Sequence, residues 1–405
     1  MGDASLLFKW LPLFEGHARR IYIVPETADS RLTDLILKTG DVDFLICDKP
    51  PRQGVGNQCT ILTQDEAIGE GLSSEDDVKP RSAFTSELVL ATSGTTSTPK
   101  LVAHTLHSLT HSMKIDERFA HFRWGLMYDP ARFAGLQVLL QSMLNGAMLL
   151  APQWELGLTE QIRWLAGNGC DAMSATPSLW RKILMTEHVG RLALRQITLG
   201  GEIADPTIMG ALSNRFPKAR LSHVYASTEA GVGFSVHDGQ PGFPEHWLES
   251  SKNRMRMKIG DNGCLWVAPE TIAQKYLGSE YELVRSDGWI DTGDVVRVEQ
   301  GRVTFCGRLN GSINVGGNKV YPEELETTVL EVAGVSAALA RGRANSIMGN
   351  LVEVLVVRGD DAPADLTSRI KAHCRKKLDS YKVPAFICIV DDIDVSSAGK
   401  MLRGS

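Results

Sequence analysis

Residues 88–100 have the sequence LVLATSGTTSTPK, in which an apolar run is followed by hydroxyl side chains, a glycine and a lysine. Hydroxyl groups and backbone amides at the end of a strand offer several hydrogen-bond donors, and Gly94 lets the backbone approach a ligand closely. Because Lys100 adds a positive charge, the segment suits a polyphosphate group. It is not a Walker loop, since Pro99 precedes the lysine and Leu101 follows it. A surface turn rich in serine and threonine is the alternative interpretation.

Two later segments combine small residues with groups that can bind a nucleotide. The sequence LGGE at 199–202 follows a predicted strand, and its two glycines allow close contact with a flat ring. In the sequence VYASTEA, Tyr225 can stack on a purine and Thr228 can bond a phosphate oxygen. Glu229 of the same segment offers a carboxylate to Mg²⁺. An ordinary turn, a core tyrosine and a solvated glutamate are the alternatives.

Three charged residues stand in short motifs near the C-terminal end. Asp294 closes the sequence GWIDTGD, and a carboxylate at the end of a strand can accept bonds from two neighbouring hydroxyl groups. Arg308 follows in the sequence GRLN, and Lys400 lies in GKMLR. A hairpin-turn aspartate and a solvated lysine near a chain end are the ordinary interpretations of such residues.

Strands and helices are predicted to alternate over most of the first 220 residues. This alternation favours α/β layers with mainly parallel strands. The predicted elements include strands at 87–91, 171–175 and 195–199, and helices at 104–118, 158–167 and 177–186.

The pattern changes after about Gly260, where short strands, glycines and turns dominate. A second compact unit follows, with predicted helices at 321–332 and 364–378. We therefore predict an α/β fold with a large N-terminal domain and a small α+β C-terminal domain. The large domain consists of layered α/β subdomains with a β-rich subdomain. The predicted domains are residues 1–307 and residues 308–405.

Composition narrows the classes of function. The 405-residue chain has a net charge of −5, which argues against a broad basic surface for nucleic acid. Its seven cysteines form no C-x-x-C pair, so we expect reduced thiols in a cytoplasmic protein and no zinc site. The first residues do not have the pattern of a signal peptide, and the longest apolar stretch is interrupted by polar residues, which predicts no membrane span.

Taken in order over residues 86–403, these motifs resemble those of the AMP-forming adenylate-forming superfamily. This superfamily contains acyl- and aryl-CoA synthetases, adenylation domains of peptide synthetases, and luciferases. The family forms are SGTTGxPK, YGxTE, GWxxTGD and a C-terminal GKxxR. The chain departs from them at Ser97 and Ala226, where glycine is usual, and at Asn310, where the hinge residue is usually aspartate or lysine. The segment before the loop is also shorter than in most members.

The resemblance implies a reaction between ATP and a small carboxylic acid. The acid displaces pyrophosphate to form an acyl-adenylate, and a thiol, most often that of CoA or of a phosphopantetheinyl carrier protein, then accepts the acyl group. It implies catalytic roles for Lys400, Thr95 and Glu229, with Glu229 also holding Mg²⁺. It implies a monomer or homodimer that binds neither nucleic acid nor membrane.

The resemblance also assigns the binding residues. The expected ATP and AMP contacts are Thr92, Ser93, Gly94, Thr95, Thr96, Lys100, Gly200, Gly201, Glu202, Tyr225, Ala226, Ser227, Thr228, Asp294 and Arg308. The expected contacts to the acid are Phe133, Gly135, Ser178, Gly200, Ala230 and Gly231. Small residues at several of these positions leave room for a flat or apolar acid, which favours an aryl or medium-sized acyl group.

Three other functions stay open on the sequence alone. The first is an adenylating enzyme that loads a carrier protein or an amine instead of CoA. The second is a kinase-like phosphotransferase that uses the hydroxyl-rich loop and releases ADP, although the Walker pattern is missing. The third is a catalytically silent nucleotide-binding relative, because a fold does not by itself fix a function.

Overall fold

The computed structural model describes residues 4–25, 30–39, 42–47, 60–63, 85–92, 100–249, 255–270, 275–277, 287–346, 348–395 and 400–401. The α-helices in these ranges are α1 (Ala4–Phe14), α2 (Ser30–Thr39), α3 (Leu106–Thr110), α4 (Phe133–Leu144), α5 (Leu158–Gly167), α6 (Pro177–Leu184), α7 (Pro206–Arg215), α8 (Pro322–Leu330) and α9 (Leu366–Lys377).

The strands of the first 240 residues belong to two larger sheets and one small pair. They are β1 (Arg20–Ile23), β2 (Phe44–Cys47), β3 (Thr60–Thr63), β4 (Glu87–Ala91), β5 (Leu101–His104), β6 (Arg123–Leu126), β7 (Met148–Leu150), β8 (Ala172–Ala175), β9 (Gln196–Gly200), β10 (Arg220–Ser227) and β11 (Gly231–Val236).

The strands of the remaining chain are mostly antiparallel. They are β12 (Phe243–Pro244), β13 (Met255–Ile259), β14 (Cys264–Pro269), β15 (Lys275–Leu277), β16 (Ile290–Glu299), β17 (Arg302–Arg308), β18 (Ile313–Val315), β19 (Asn318–Val320), β20 (Val335–Asn345), β21 (Gly349–Arg358) and β22 (Phe386–Val390).

A six-stranded sheet forms the centre of the large domain, with strand order β11-β10-β9-β8-β6-β7. Its strands are parallel except for the edge strand β11. The core beside it contains the fully buried side chains of Trp180, Ile162 and Leu165. Parallel strands with helices between them place their carboxyl ends along one edge, where α/β proteins usually bind ligands.

Besides the central sheet and the parallel pair β2-β3, two larger sheets belong to the large domain. One has the order β1-β4-β5-β15, and the other is a five-stranded antiparallel sheet with the order β12-β17-β16-β14-β13. The hydroxyl-rich segment connects the antiparallel neighbours β4 and β5. The second sheet is the predicted β-rich subdomain.

The small domain folds around a separate core. Its sheet has the order β19-β18-β21-β20, and β22 also pairs with β21. The buried face of this sheet packs against α8 and α9. The predicted fold class, an α/β protein with a large N-terminal and a small α+β C-terminal domain, is confirmed.

One predicted element is wrong. The helix expected at 104–118 is replaced by the end of β5, the short helix α3 and a 3₁₀ turn at Glu117–Phe119. His104 pairs with Leu88 of the neighbouring strand, so it cannot begin a helix. Instead, Thr105 caps α3 by accepting a hydrogen bond from the Ser108 amide at 3.0 Å.

Among the described residues, no helix combines the length and the apolar character that crossing a membrane requires.

Candidate active site

The predicted motifs meet at the carboxyl edge of the central sheet. Strand β9 ends at Gly200, which leads into Gly201 and Glu202, and β10 runs through Tyr225 to Ser227. Strand β8 leads into the turn before α6, which begins at Pro177. The edge therefore collects side chains from three neighbouring strands.

The described ends of the hydroxyl-rich segment are Thr92 and Lys100. They are held together by two hydrogen bonds, from the Thr92 amide to the Lys100 carbonyl at 2.9 Å and from the Lys100 amide to the Thr92 hydroxyl at 3.1 Å. The intervening residues, which include the predicted contacts Ser93, Gly94, Thr95 and Thr96, lie outside the described residues. The structure therefore fixes where this segment leaves and re-enters the sheet.

His104 supports the segment that carries Thr228 and Glu229. The side chain of His104 is fully buried, and its Nε2 lies 2.8 Å from the Thr228 carbonyl oxygen. Because a carbonyl can only accept, Nε2 must carry the proton, and Nδ1 lies 3.2 Å from the Ser108 hydroxyl oxygen. Burial lowers the pKa of His104 to about 4, so the ring is neutral at pH 7.

Tyr276 contacts both Glu229, the predicted metal ligand, and Lys100, the lysine at the end of the hydroxyl-rich segment. Its hydroxyl is 3.4 Å from Glu229 Oε1, and the Lys100 ammonium lies 4.8 Å from the centre of its ring. Strand β15 places Tyr276 there by pairing with β5, opposite Val102. Burial and the neighbouring Glu229 carboxylate raise the pKa of the Tyr276 hydroxyl.

A second group of residues joins the central sheet to the β-rich subdomain. The Tyr225 hydroxyl donates to Asp294 Oδ2 at 2.7 Å, and Arg308 Nε donates to Asp294 Oδ1 at 2.9 Å. The Tyr225 ring packs in nearly parallel orientation against Phe234 and Phe305, with centroid distances of 5.1 and 5.3 Å. Burial raises the pKa of Tyr225 well above its ordinary value, so the hydroxyl remains a donor.

Register explains why Asp294 and Arg308 meet. They are direct partners in the antiparallel pair formed by β16 and β17, and Arg308 also donates to the Thr292 carbonyl at 3.3 Å. The Asp294 amide donates to the Thr292 hydroxyl at 3.1 Å, which fixes the backbone before the carboxylate. The Arg308 side chain remains 64% exposed, so its guanidinium can still reach a ligand.

Lys400 comes from the C-terminal segment and lies at the same edge of the sheet. A methyl group added to Gly201 would lie 3.6 Å from Lys400 Cε, which shows how close the lysine stem comes to this turn. Gly201 has a φ of +82°, a conformation that favours glycine. Burial lowers the pKa of Lys400, and the Glu202 carboxylate is the strongest opposing influence.

The charges that act on Lys400 come from four separate motifs. Glu202 has the largest effect. Arg308 lowers the pKa of the Lys400 ammonium, whereas Asp294 and Glu229 raise it. These residues are scattered between positions 202 and 308 of the sequence. The fold therefore gathers the charged residues that the motifs singled out around one ammonium group.

The residues predicted to contact the acid are mostly buried. Phe133, Ser178 and Ala230 are 8%, 6% and 2% exposed, and Phe133 lies 5.9 Å from the His104 ring. Gly135 packs against the backbone of Asp129, because an added methyl group would lie 2.1 Å from that carbonyl oxygen. Its missing side chain makes room for the turn before α4. The assignment of these residues to an acid pocket stays a prediction.

Sequence reasoning missed His104 and Tyr276. His104 ends an otherwise apolar strand, and a histidine in such a position was the only signal available. Tyr276 stands in a three-residue strand whose pairing with β5 could not be inferred from the local pattern. Arg132, for which the sequence left open a role in pairing with a polar group of the acid or a place on the surface, forms a 3.7 Å ion pair with Asp129 at the start of α4.

Comparison with family models identifies two matching regions. Residues 26–266 match the model of the AMP-binding enzyme, and residues 324–400 match that of the AMP-binding enzyme C-terminal domain. The first match alone covers more than half of the chain.

Two curated relatives illustrate the range of similar proteins. Surfactin synthase subunit 1 of Bacillus subtilis is 27% identical over 91% of this chain, which corresponds to 11% of the relative. A long-chain-fatty-acid–CoA ligase of Haemophilus influenzae is 35% identical over 58% of this chain and 44% of its own length. The chain thus spans less than half the length of either relative.

Solved structures share the fold at low sequence identity. The o-succinylbenzoate CoA synthetase of Bacillus subtilis, solved with its acyl-adenylate intermediate, aligns with a TM-score of 0.68 at 21% identity and covers 92% of this chain and 80% of that one. An anthranilate CoA ligase in complex with anthranoyl-AMP aligns with a TM-score of 0.74 at 18% identity, covering 92% and 78%. With the family matches and the gathered motifs, the chain belongs to the AMP-binding enzyme family of the adenylate-forming superfamily.

Proposed function

We propose that this protein activates a carboxylic acid with ATP and transfers the acyl group to a thiol, with CoA as the acceptor and an aryl or medium-sized acyl group as the substrate. The observation that carries the proposal is the position of Lys400 beside Gly201. The charges of four motif residues act on its pKa there, namely Glu202, Asp294, Glu229 and Arg308. A half-buried lysine surrounded by nucleotide-binding motifs suits a reaction in which negative charge crowds at phosphorus.

In the first half-reaction, a carboxylate oxygen of the acid attacks the α-phosphorus of ATP. The new O–P bond forms as the bond to the leaving pyrophosphate breaks, so no proton has to be removed. Catalysis then depends on alignment and charge neutralisation. We assign to the Lys400 ammonium the bridge between the acid and the α-phosphate.

The other residues hold the nucleotide in place. Lys100 and the hydroxyl groups of Thr92, Ser93, Thr95 and Thr96 bind the β- and γ-phosphates. At the other end, Asp294 accepts the ribose hydroxyls and Arg308 contacts the ribose or a phosphate. Gly200, Gly201, Tyr225, Ala226, Ser227 and Thr228 surround the adenine and the α-phosphate.

Glu229 is the proposed ligand of Mg²⁺. Among the residues that the structure describes, no three histidine, cysteine, aspartate or glutamate side chains gather into a metal cage. Mg²⁺ in nucleotide enzymes typically uses one or two carboxylates together with substrate phosphates and water, so a single Glu229 beside the phosphate segment fits this metal. When bound, the metal offsets the negative charge of the phosphates.

The proposed domain boundary lies between residues 307 and 308. Strand β17 ends at Arg308, and the 3₁₀ turn at Leu309–Gly311 leads into the sheet of the small domain. We assign the hinge to Asn310. Rotation there would withdraw Lys400 after adenylation and open a path for the thiol along the Gly316 and Gly317 turn.

A carrier protein or an amine is the alternative acceptor. The similarity to a surfactin synthase subunit over 91% of this chain favours this alternative as a second candidate. Thioester formation with CoA and with a phosphopantetheinyl carrier protein, measured side by side, distinguishes the two.

A panel of carboxylic acids tests the proposal. We expect pyrophosphate release with at least one acid and AMP, identified by its mass, as the nucleotide product. The Lys400→Ala variant should lose adenylation while it still binds ATP. Release of ADP, or pyrophosphate exchange near the parent rate in Lys400→Ala, would contradict the proposed mechanism.

A further inference from the structure

Glu202 uses both oxygens of its carboxylate to connect two distant segments of backbone. Oε2 accepts a hydrogen bond from the Ser178 amide at 3.0 Å, and Oε1 accepts one from the Met401 amide at 3.2 Å. Ser178 is 24 residues away in the sequence, whereas Met401 is 199 residues away. A side chain first assigned to the nucleotide thus contacts the C-terminal segment directly.

The Ser178 end of this connection belongs to a capped helix. Ser178 lies in the first turn of α6, where backbone amides have no partner within the helix and a carboxylate is electrostatically favoured. The helix is also fixed by Thr176, which caps it by accepting from the Leu179 amide at 3.1 Å. The Glu202 carboxylate is therefore held in one orientation by the large domain.

The Met401 end of the connection lies next to the proposed catalytic lysine. Met401 immediately follows Lys400, so a bond that fixes the Met401 amide also fixes the backbone from which the lysine side chain extends. The lysine stem passes Gly201, the residue directly before Glu202. One short turn, Gly201 and Glu202, thus contacts both the side chain and the backbone of the lysine segment.

We infer that Glu202 is a positioning residue that docks the Lys400 segment onto the large domain and so places the ammonium for adenylation. The inference deepens the proposed function and rests on it for the role of Lys400. Glu202 and Ser178 both belong to the large domain, so of the two hydrogen bonds that Glu202 accepts, the one from Met401 is the one that breaks when the small domain rotates.

The electrostatic effect of Glu202 supports this geometry. Burial lowers the pKa of Lys400, and among its charged neighbours Glu202 raises it most. The same carboxylate faces Tyr128, whose hydroxyl has its pKa raised by burial and by this negative charge. The Tyr128 hydroxyl donates to the Gly200 carbonyl at 3.3 Å and not to Glu202. The Glu202 carboxylate accepts from the Ser178 and Met401 amides.

Two variants separate docking from nucleotide binding. Glu202→Ala removes both acceptors, whereas Glu202→Gln keeps the size and one acceptor oxygen. We expect kcat for pyrophosphate exchange to fall by about 10- to 100-fold in Glu202→Ala, the range for losing a hydrogen bond to a charged group. In Glu202→Gln, kcat for pyrophosphate exchange should fall less than in Glu202→Ala. KM for ATP should change by less than about threefold in both variants, since the proposed role is in positioning.

A double-mutant cycle tests whether Glu202 acts through the lysine. The cycle uses the residual pyrophosphate exchange of Lys400→Ala, measured at high enzyme concentration. In that background Glu202→Ala should lower the residual rate by almost nothing further, because the group that it positions is absent. An equally large loss in both backgrounds, or a loss that appears in KM for ATP, would assign Glu202 to the nucleotide and overturn the inference. Glu299→Ala, which removes an exposed carboxylate from β16, is the matched control.

Hydrogen exchange provides a readout that does not depend on activity. In the substrate-free protein, the Met401 amide should exchange at least about tenfold faster in Glu202→Ala than in the parent or in Glu299→Ala. Unchanged exchange would overturn the docking role. If no acid supports pyrophosphate release, the proposed function fails, and the exchange measurement still decides whether Glu202 docks the segment.

Discussion

The Lys182 ammonium lies 2.9 Å from Asp392 Oδ2, which joins α6 of the large domain to the segment after the last strand of the small domain. The two residues are 210 positions apart in the sequence. In a second link between the domains, the Thr207 hydroxyl donates to the Leu330 carbonyl at 3.4 Å. The Arg297–Glu324 ion pair is a third polar link, and Leu309 and Tyr321 pack against the apolar cluster of Cys264, Val295 and Cys306. Polar and apolar contacts thus both join the two domains.

We predict that Asp392→Ala weakens the closed arrangement only slightly. The Asp392 side chain is 65% exposed, and exposed ion pairs contribute about 1 kcal/mol or less. Pyrophosphate exchange should fall by no more than about fivefold at low salt, and the difference should disappear near 1 M salt. Lys182→Met should have the same effect, and the double variant should add nothing. A hundredfold loss would mean that the pair does more than join the domains.

Tyr225→Phe tests the ribose end of the site. The variant keeps the ring but removes the hydroxyl that donates to Asp294 at 2.7 Å. Within the described part of the chain, Arg308 is then the side chain left to orient the carboxylate. KM for ATP should rise by about tenfold, the effect expected for one hydrogen bond to a charged group, while kcat changes little. The measurement is repeated with 2′,3′-dideoxy-ATP, for which parent and variant should not differ. An equal effect on both nucleotides would show that Asp294 does not bind the ribose.

Local patterns predicted the elements that lie under the site. The helix at 158–167 and the strand at 87–91 have the predicted bounds, because amphipathic spacing and apolar runs reflect burial within one segment. The sequence also singled out Lys400 together with Glu229, Asp294 and Arg308, whose charges act together on the lysine in the structure, and the roles of all four stay predictions. Glu229 follows β10, whereas Asp294 lies within β16 and Arg308 ends β17, and each of these two comes directly after a glycine that is visible in the sequence.

Contacts between distant segments could not be predicted in the same way. The bond from Met401 to Glu202 depends on how the small domain packs against the large one, which no spacing in the sequence records. The extent of β5 was missed because pairing with β4 overrides the helical pattern around His104. The role of Tyr276 depends on a strand pair formed by residues 172 positions apart, Lys275 and Ala103.

His104→Phe tests whether the hydrogen bond from His104 to the Thr228 carbonyl positions the segment that carries Glu229. The variant fills a similar volume but leaves the Thr228 carbonyl without its donor at 2.8 Å. KM for MgATP should rise by about tenfold, and more Mg²⁺ should be needed for half-maximal pyrophosphate exchange. His104→Gln, which can donate to the same carbonyl, should recover part of the loss. If both variants lose stability but keep the parent Mg²⁺ dependence, His104 only stabilises the core.

A second buried histidine makes the stability of the protein sensitive to acid. His223 on β10 is 4% exposed, and its Nδ1 has no hydrogen-bond partner among the described residues. Burial lowers the pKa of His223 to about 4, the Arg302 guanidinium lowers it further, and Asp238 opposes the shift. The folded protein therefore resists protonating this ring, as it does that of His104.

The sign of the effect follows from proton linkage. Between pH 6.5 and 4 the unfolded chain binds the proton that the folded chain excludes, so the free energy of unfolding decreases as the pH falls through this window. Each such histidine should contribute a loss of about 2 kcal/mol between pH 7 and pH 5. Denaturant unfolding of His223→Leu at both pH values should show a decrease smaller by about that amount than in the parent. As a control, replacing the exposed His121 by glutamine should give the same decrease in the free energy of unfolding as in the parent. If His223→Leu also shows the parent's decrease, His223 is not the group that titrates.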